Sequence, residues 1–181
     1  MVDVFLVSCM AIGDKDTESI LLKKALKQRG ISSTIVNWED PTIDWSEAPL
    51  SISRTTSSYV FNPEAFFNWA KKVEKTSTLW NTSQTMEWNH HKRYLLELQK
   101  KGIKIPETIL FPQNSELSIS EIKEMIPWDD FVIKPCLGVG SGGLKRFNKE
   151  SPEVEKHFRE LNKVGFHTEY SWGGVDFIPC D

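Results

Sequence analysis

Phe131-Val132-Ile133-Lys134-Pro135-Cys136-Leu137-Gly138-Val139-Gly140-Ser141-Gly142-Gly143 is an apolar strand that delivers one lysine into a loop with four glycines. Burying the charge of a lysine at the end of a strand costs free energy, unless an anion lies close enough to compensate for the lost hydration. Glycines let backbone N–H groups approach an oxyanion closely. The stretch therefore predicts a nucleotide phosphate site, with contacts from Lys134, Gly138, Gly140, Ser141, Gly142 and Gly143.

Two simpler interpretations of this stretch stay open. A lysine at a strand edge can extend to water, and a glycine loop can be a hairpin turn. Such a turn needs one or two glycines, so four favour a loop that closes over a ligand. No Gly-Lys-Ser/Thr follows, as a Walker A loop would require, and Leu144 to Phe147 predicts a hairpin return rather than a Rossmann helix.

Composition sets broad limits on function. The chain has 181 residues and a net charge of −3, which argues against broad nucleic-acid binding. The sequence has no apolar run of membrane-spanning length and no signal-peptide pattern at Met1. Cys9, Cys136 and Cys180 are far apart and odd in number, so they favour free thiols in a cytoplasmic protein.

Hydrophobic patterning predicts an α/β chain that opens with a parallel sheet. The strands are expected over Val2–Cys9, Ile31–Trp38, Leu50–Ser53 and Thr78–Asn81. The helices are expected over Asp14–Gln28, Asn62–Lys72, Glu87–Lys101, Ser120–Ile126 and Pro152–Val164, with a surface loop over Glu39–Pro49.

Two further sets of residues are candidates for binding. Lys92 lies in the first turns of the helix predicted over Glu87–Lys101, a position where a cation is electrostatically poor unless an anion is near. Arg54, Thr55 and Thr56 follow the third strand, where open α/β sheets collect ligands. The adjacent His90 and His91 point apart, which favours surface or capping roles over a shared metal.

An ordered series of motifs resembles the ATP-grasp superfamily, and most closely its glutathione-synthetase-like and cycloserine-forming ligase branch. The motifs are Arg54 after a short strand, Pro63-Glu64-Ala65-Phe66, Leu79-Trp80-Asn81, Asn89-x-x-Lys92-Arg93-Tyr94-Leu95-Leu96, Gly102-Ile103-x-Ile105-Pro106-x-Thr108, and Phe131 to Pro135 with the glycine loop. The resemblance covers residues 50 to 147 well and the rest loosely. The turn at Arg54 departs from the branch's usual aromatic–aspartate pattern.

The resemblance implies a fold and a chemistry. Residues 1–115 would form an open parallel-sheet pre-ATP-grasp domain, and residues 116–181 the α+β central, or lid, subdomain. In this family ATP phosphorylates a carboxylate to an acylphosphate, which an amine then attacks. Lys92, Lys134 and the loop would contact the ATP phosphates, and Arg54, Thr55 and Thr56 the substrate.

The rest of such a module lies beyond the lid in sequence. The family takes its ribose-binding acid and its Mg²⁺ ligands from that region, and Glu169, Asp176 and Asp181 cannot be placed as ligands. No residue of this chain is therefore assigned to a metal.

Three interpretations follow from the series. The leading one is the N-terminal portion of an ADP-forming carboxylate–amine ligase, inactive alone, with a C-terminal half or further copies in a homo-oligomer as its expected partners. A second is a non-catalytic binding or scaffold module with the same fold. A third is an unrelated nucleotide- or sugar-binding α/β protein.

Overall fold

The computed structural model describes residues 1–163 and 174–179. The chain forms two compact units, Met1–Glu87 and Trp88–Asp181. The domain boundary expected between residues 115 and 116 falls inside the second unit. Each unit is built around its own sheet and its own core.

The first unit contains a four-stranded parallel sheet. Its strands are β1 (Val4–Ser8), β2 (Ser33–Asn37), β3 (Leu50–Thr55) and β4 (Thr78–Trp80), in the order β2-β1-β3-β4. Every residue of β1 is buried, as expected for a central strand covered on both faces. The predicted opening of the α/β fold is thus confirmed.

Two capped helices accompany this sheet. In α1 (Thr17–Gln28) the Asp16 carboxylate accepts from the N–H of Ser19 at 3.0 Å. In α2 (Pro63–Val73) the Asn62 side chain accepts from Ala65 N–H at 3.1 Å, and proline occupies the first position. These contacts satisfy N–H groups that a helix leaves unpaired at its start.

Aromatic rings fill the core of the first unit. Trp69 stacks on Phe66 with centroids 5.1 Å apart and meets Trp45 edge-on at 5.4 Å. Trp45 and the fully buried Ala48 come from the segment predicted as a surface loop, Glu39–Pro49. That prediction was wrong at these two positions, because the segment supplies apolar side chains to the core.

The helix predicted over Glu87–Lys101 is also wrong. The structure has two short helices, α3 (Ser83–Asn89) and α4 (Tyr94–Lys100). Between them, Lys92 N–H donates to the carbonyl of Cys136 at 2.9 Å, and Arg93 N–H donates to Nδ1 of His91 at 3.1 Å. These bonds take the N–H groups away from a helical ladder.

The two histidines of this segment are buried, so the surface role considered for them was wrong. His90 and His91 are each 7% exposed. The bond from Arg93 N–H gives His91 a capping-like contact inside the segment.

The second unit contains a four-stranded antiparallel sheet. The strands are β5 (Ile109–Pro112), β6 (Asp130–Pro135), β7 (Lys145–Asn148) and β8 (Gly174–Pro179), in the order β5-β8-β6-β7. The predicted hairpin return after the glycine loop is confirmed by the pairing of β6 with β7.

Helices α5 (Ile119–Met125) and α6 (Glu153–Lys163) complete the second unit. Ser118 and Glu121 form a reciprocal capping box at the start of α5. Phe158 of α6 packs edge-on against Phe111 of β5 at 5.7 Å and lies 5.9 Å from Phe177 of β8. In the described part of the chain, no helix is long and apolar enough to cross a membrane.

Candidate functional site

Lys134 lies near the end of strand β6, where the strand leaves the core. Phe131 and Ile133 are fully buried, whereas Val132 and Lys134 are half-buried, in the alternation expected of a strand with one face on the core. Lys134 lies opposite Asp176 of β8 in register. Its side chain therefore leaves the sheet on the face away from Phe131 and Ile133.

The break between α3 and α4 brings the second predicted lysine to the same place. The backbone N–H of Lys92 and its Nζ both donate to the Cys136 carbonyl, at 2.9 and 3.3 Å. This carbonyl comes directly after β6. The interruption of the predicted helix is therefore what carries Lys92 to the end of the Lys134 strand.

The two lysines share an open cavity of about 140 Å³ with the loop. Its lining residues are Lys92, Lys134, Pro135, Gly138, Val139, Gly140, Ser141, Gly142 and Leu144. Six of the seven nucleotide-binding residues predicted from the sequence are in this set, and the seventh, Gly143, directly precedes Leu144. The structure thus groups residues that lie far apart in sequence.

The glycine loop, residues 138–143, is not a tight hairpin turn. Gly140, Ser141 and Gly143 have φ of +57°, +59° and +74°, in the left-handed region that glycine enters at low cost. Gly142 N–H donates to Val139 O at 3.0 Å. Consecutive turns of this kind expose backbone N–H groups in a concave arrangement suited to an anion.

The end of the loop is held by α6, which sequence reasoning missed. Nε2 of His157 lies 2.8 Å from the Gly143 carbonyl. A Cβ on Gly143 would lie 3.0 Å from Cδ2 of Leu161 and 3.2 Å from Cδ of Pro135. One signal was available: His157 shares the 3–4 residue spacing of Val154, Phe158 and Leu161, so it occupies the apolar face of its helix.

The residues predicted to face substrate are in the first unit. Oγ1 of Thr55 donates to the Asp16 carboxylate in a short bond, and it lies 2.9 Å from Oγ of Ser8. Oγ1 of Thr56 lies 3.1 Å from Oγ of Ser53. Both hydroxyls are thus hydrogen-bonded inside the unit.

Arg54 differs from these two threonines in its exposure. Its guanidinium contacts the Glu18 carboxylate at 3.5 Å, and its side chain is 36% exposed. An ion pair of this exposure contributes little to stability. Of the three predicted substrate residues, Arg54 is the only charged one, and it is also the most exposed.

Asp16 is a buried carboxylate that the sequence identified only as a helix start. It is 3% exposed and receives the Thr55 hydroxyl together with Ser19 N–H. Burial acts to raise its pKa, but bonds from Thr55, Ser19 and Ser8 together hold the pKa below the ordinary value. The carboxylate is therefore charged at neutral pH and organises the carboxyl end of β1 and β3.

The described residues contain no group of three or more His, Cys, Asp or Glu side chains that could hold a metal ion. Glu169 and Asp181 lie outside the described residues. Cys9 and Cys136 are both buried, and Cys9 is a free thiol. Cys180 lies outside the described residues.

Comparison with known proteins gives one family match and one curated relative. Residues 4–81 match the model for the N-terminal domain of D-cycloserine synthetase DcsG. The chain is 27% identical over 150 residues to the cycloserine biosynthesis protein DcsG of Streptomyces lavendulae, a match that covers 81% of the chain and 50% of the relative. The chain thus spans about half the length of that relative.

Solved structures share the fold along nearly the whole chain. D-cycloserine synthetase DcsG superposes with a TM-score of 0.81 at 21% identity, covering 98% of this chain and 59% of that one. An ATP-grasp RimK domain protein from Sphaerobacter thermophilus gives 0.66 at 14%, with 98% and 64% covered. D-alanine–D-alanine ligase from Bacillus anthracis gives 0.67 at 12%, with 100% and 58% covered. These likenesses confirm the predicted fold class.

Proposed function

We propose that this chain is the N-terminal portion of an ATP-dependent, ADP-forming carboxylate–amine ligase of the ATP-grasp superfamily. One observation carries the proposal: Lys92, Lys134 and the glycine loop line one cavity at the end of β6. The ligases that share its fold support the ligase class, and the chain's coverage of 50% to 64% of its relatives supports a portion rather than a whole.

The cavity suits the phosphates of a nucleotide. Two ammonium groups can make charge-assisted hydrogen bonds to phosphate oxygens, which are about twice as strong as neutral ones. The loop also requires small residues, because a Cβ on Gly138 would lie 3.0 Å from Cγ of Pro135 and one on Gly142 3.3 Å from Val139 O. In this proposal Lys134 lies near the α-phosphate and adenine side, and the loop covers the β- and γ-phosphates.

The chemistry proposed for the whole ligase balances in two transfers. ATP supplies its γ-phosphoryl group to a substrate carboxylate oxygen, leaving ADP, and an amine then displaces phosphate with loss of a proton to form an amide. The residues of this chain would supply positioning and positive charge, which account for most of phosphoryl-transfer catalysis.

The Mg²⁺ ligands and the substrate-facing residues are proposed to lie outside the cavity. Mg²⁺ is proposed to bind through residues beyond this chain, as the family resemblance implies. Arg54, Thr55 and Thr56 are proposed to face the substrate. A cytoplasmic location, a division at residues 115/116, and a C-terminal half or a homo-oligomer as partner are also proposed.

Thermal unfolding of the chain with and without Mg·ATP tests the proposal. We expect Mg·ATP to raise the melting temperature and K134A to remove that rise, since the loss of one charge-assisted bond weakens binding by roughly tenfold or more. K156A is the matched control, because Lys156 is an exposed lysine on α6 outside the cavity lining. No rise in the wild type, or an equal rise in K134A, would contradict the proposal.

Activity of the completed ligase separates this function from a scaffold role. We expect release of ADP that depends on both a carboxylate and an amine, and that falls in K134A but not in K156A. Nucleotide binding without any such ADP release would favour the non-catalytic module.

A further inference from the structure

The glycine loop is held at both ends. At its N-terminal side, the Cys136 carbonyl accepts from the N–H and Nζ of Lys92 at 2.9 and 3.3 Å. At its C-terminal side, the Gly143 carbonyl lies 2.8 Å from Nε2 of His157. We call Cys136 and Gly143, which flank or end the loop, its N-terminal and C-terminal roots. Each root carbonyl is contacted by a residue from a different segment of the second unit.

The tip of the loop has no comparable constraint. A Cβ on Gly140 would meet nothing within 4 Å, whereas one on Gly143 would press on Leu161 and Pro135. Gly140 and Ser141 both have positive φ. The loop is therefore closely packed at Gly143 and open around Gly140.

The geometry at His157 defines which atom donates. A carbonyl oxygen only accepts, so Nε2 of His157 carries the hydrogen in the bond to Gly143. The ring is 5% exposed and packs against Phe147 at 5.3 Å between centroids. Nδ1 has no hydrogen-bond partner in the described part of the chain, and the nearest carboxylate, Glu160, is 3.9 Å away.

This arrangement differs from that of an ordinary core histidine. Among the described residues, the ring makes one hydrogen bond. It joins α6 to Gly143, the last residue of the glycine loop. A purely structural histidine on this helix face would be replaceable by an apolar residue of similar size at little cost. Here, such a replacement also leaves the Gly143 carbonyl without its donor.

We propose that His157 is a positioning residue, whose Nε2–H fixes the C-terminal root of the glycine loop and thereby sets where the loop's N–H groups meet a nucleotide phosphate. The phosphate part rests on the proposed function. The fixing of the root does not, because it concerns the loop without ligand.

Matched substitutions separate the hydrogen bond from simple packing. H157Q keeps an N–H donor at about the reach of Nε2, whereas H157N stops short of it and H157L removes it. V154A is the packing control, because Val154 is fully buried on the same helix and is not part of the loop contacts. If H157L does not fold, the pair H157Q and H157N still isolates the donor.

Hydrogen–deuterium exchange of the chain without nucleotide is the first measurement. In H157L and H157N we expect the amides of Gly142 and Leu144, which donate to Val139 and Ser141, to exchange roughly three- to tenfold faster, as expected for the loss of one hydrogen bond. H157Q should match the wild type, and V154A should not show this local increase. Unchanged loop exchange in H157N, or an equal increase in V154A, would overturn the proposal.

The dissociation constant of Mg·ATP is the second measurement. We expect it to rise in H157N by the same factor as the exchange and to stay near the wild-type value in H157Q and V154A. Faster loop exchange with an unchanged dissociation constant would overturn the positioning role. If the wild type does not bind Mg·ATP, the proposed function fails, whereas the exchange result still decides whether His157 holds the root.

Discussion

The carboxyl end of the parallel sheet and the glycine loop both carry polar residues at strand ends, but they use them differently. In the first unit, Ser8, Asp16 and Thr55 hydrogen-bond to one another at the ends of β1 and β3. In the second unit, Lys92 and Lys134 line an open cavity with backbone groups of the loop. The first cluster holds the ends of its own strands together, whereas the second lines a cavity in which we propose that a nucleotide phosphate binds.

The largest effect that tests this contrast is on stability in the first unit. D16A removes the N-cap of α1 and leaves the Thr55 hydroxyl and Ser19 N–H without their acceptor. We expect a loss of about 2–3 kcal/mol in the free energy of unfolding, from a cap and a buried polar group. Urea denaturation measures it, and the melting-temperature rise with Mg·ATP should persist in any folded D16A protein.

E18A is the control for D16A. Glu18 lies two residues further along α1, and its side chain is 76% exposed in the ion pair with Arg54. We expect a change of less than about 1 kcal/mol, as for most surface ion pairs. If D16A keeps its stability but loses its response to Mg·ATP, then the cluster takes part in nucleotide binding and the contrast fails.

A smaller effect distinguishes the root of the loop from its tip. G143A forces a positive φ on alanine and presses its Cβ on Leu161 and Pro135, whereas G140A has only the first problem. We expect G140A to cost about 1 kcal/mol in stability and G143A more, up to about 3 kcal/mol. Denaturation of the two variants side by side checks this order, and equal losses would contradict the anchored root.

The smallest effect concerns the pH dependence of stability. Burial is the main cause that lowers the pKa of His157, with Lys145 adding to it, while the Gly143 bond and Glu160 oppose it. The fold therefore favours the neutral ring, so His157 stabilises the protein fully above its ordinary pKa of about 6.5. That stabilisation is lost as the pH falls through the lower folded-state value.

The contribution of His157 to the pH dependence of stability is measured by comparison with H157Q, whose side chain does not titrate. We expect the melting temperature of the wild type relative to H157Q to be lower at pH 5 than at pH 7.5. Asp16 does not interfere in this window, because its pKa lies below an ordinary value of 3.8. A relative melting temperature that rises on acidification would show that the buried ring prefers its charged form.

Local patterns predicted the sheet and the loop. The apolar run of β1 and the β-branched residues of β2 predict strands within a few residues of sequence, and the lysine and glycines of 134–143 predict a loop after a strand in the same way. These features depend on neighbouring residues, so they can be recognised without the tertiary structure.

Contacts between distant residues were not predictable in this way. The helix predicted over Glu87–Lys101 breaks because Lys92 bonds to Cys136, which lies 44 residues away. Asp16 and Thr55 are 39 residues apart, and nothing in either segment indicates that they meet. The helical spacing placed His157 on a buried face but did not show that Gly143 would be its partner.

Hydrogen–deuterium exchange of the chain with and without Mg·ATP tests the central contrast most directly, because it reads both regions in one experiment. We predict that Mg·ATP slows exchange over residues 138–143, that K134A abolishes this protection, and that exchange at Ser8, Ser19 and Thr55 does not change. Protection at Ser8, Ser19 and Thr55 with no change in the glycine loop would contradict the account.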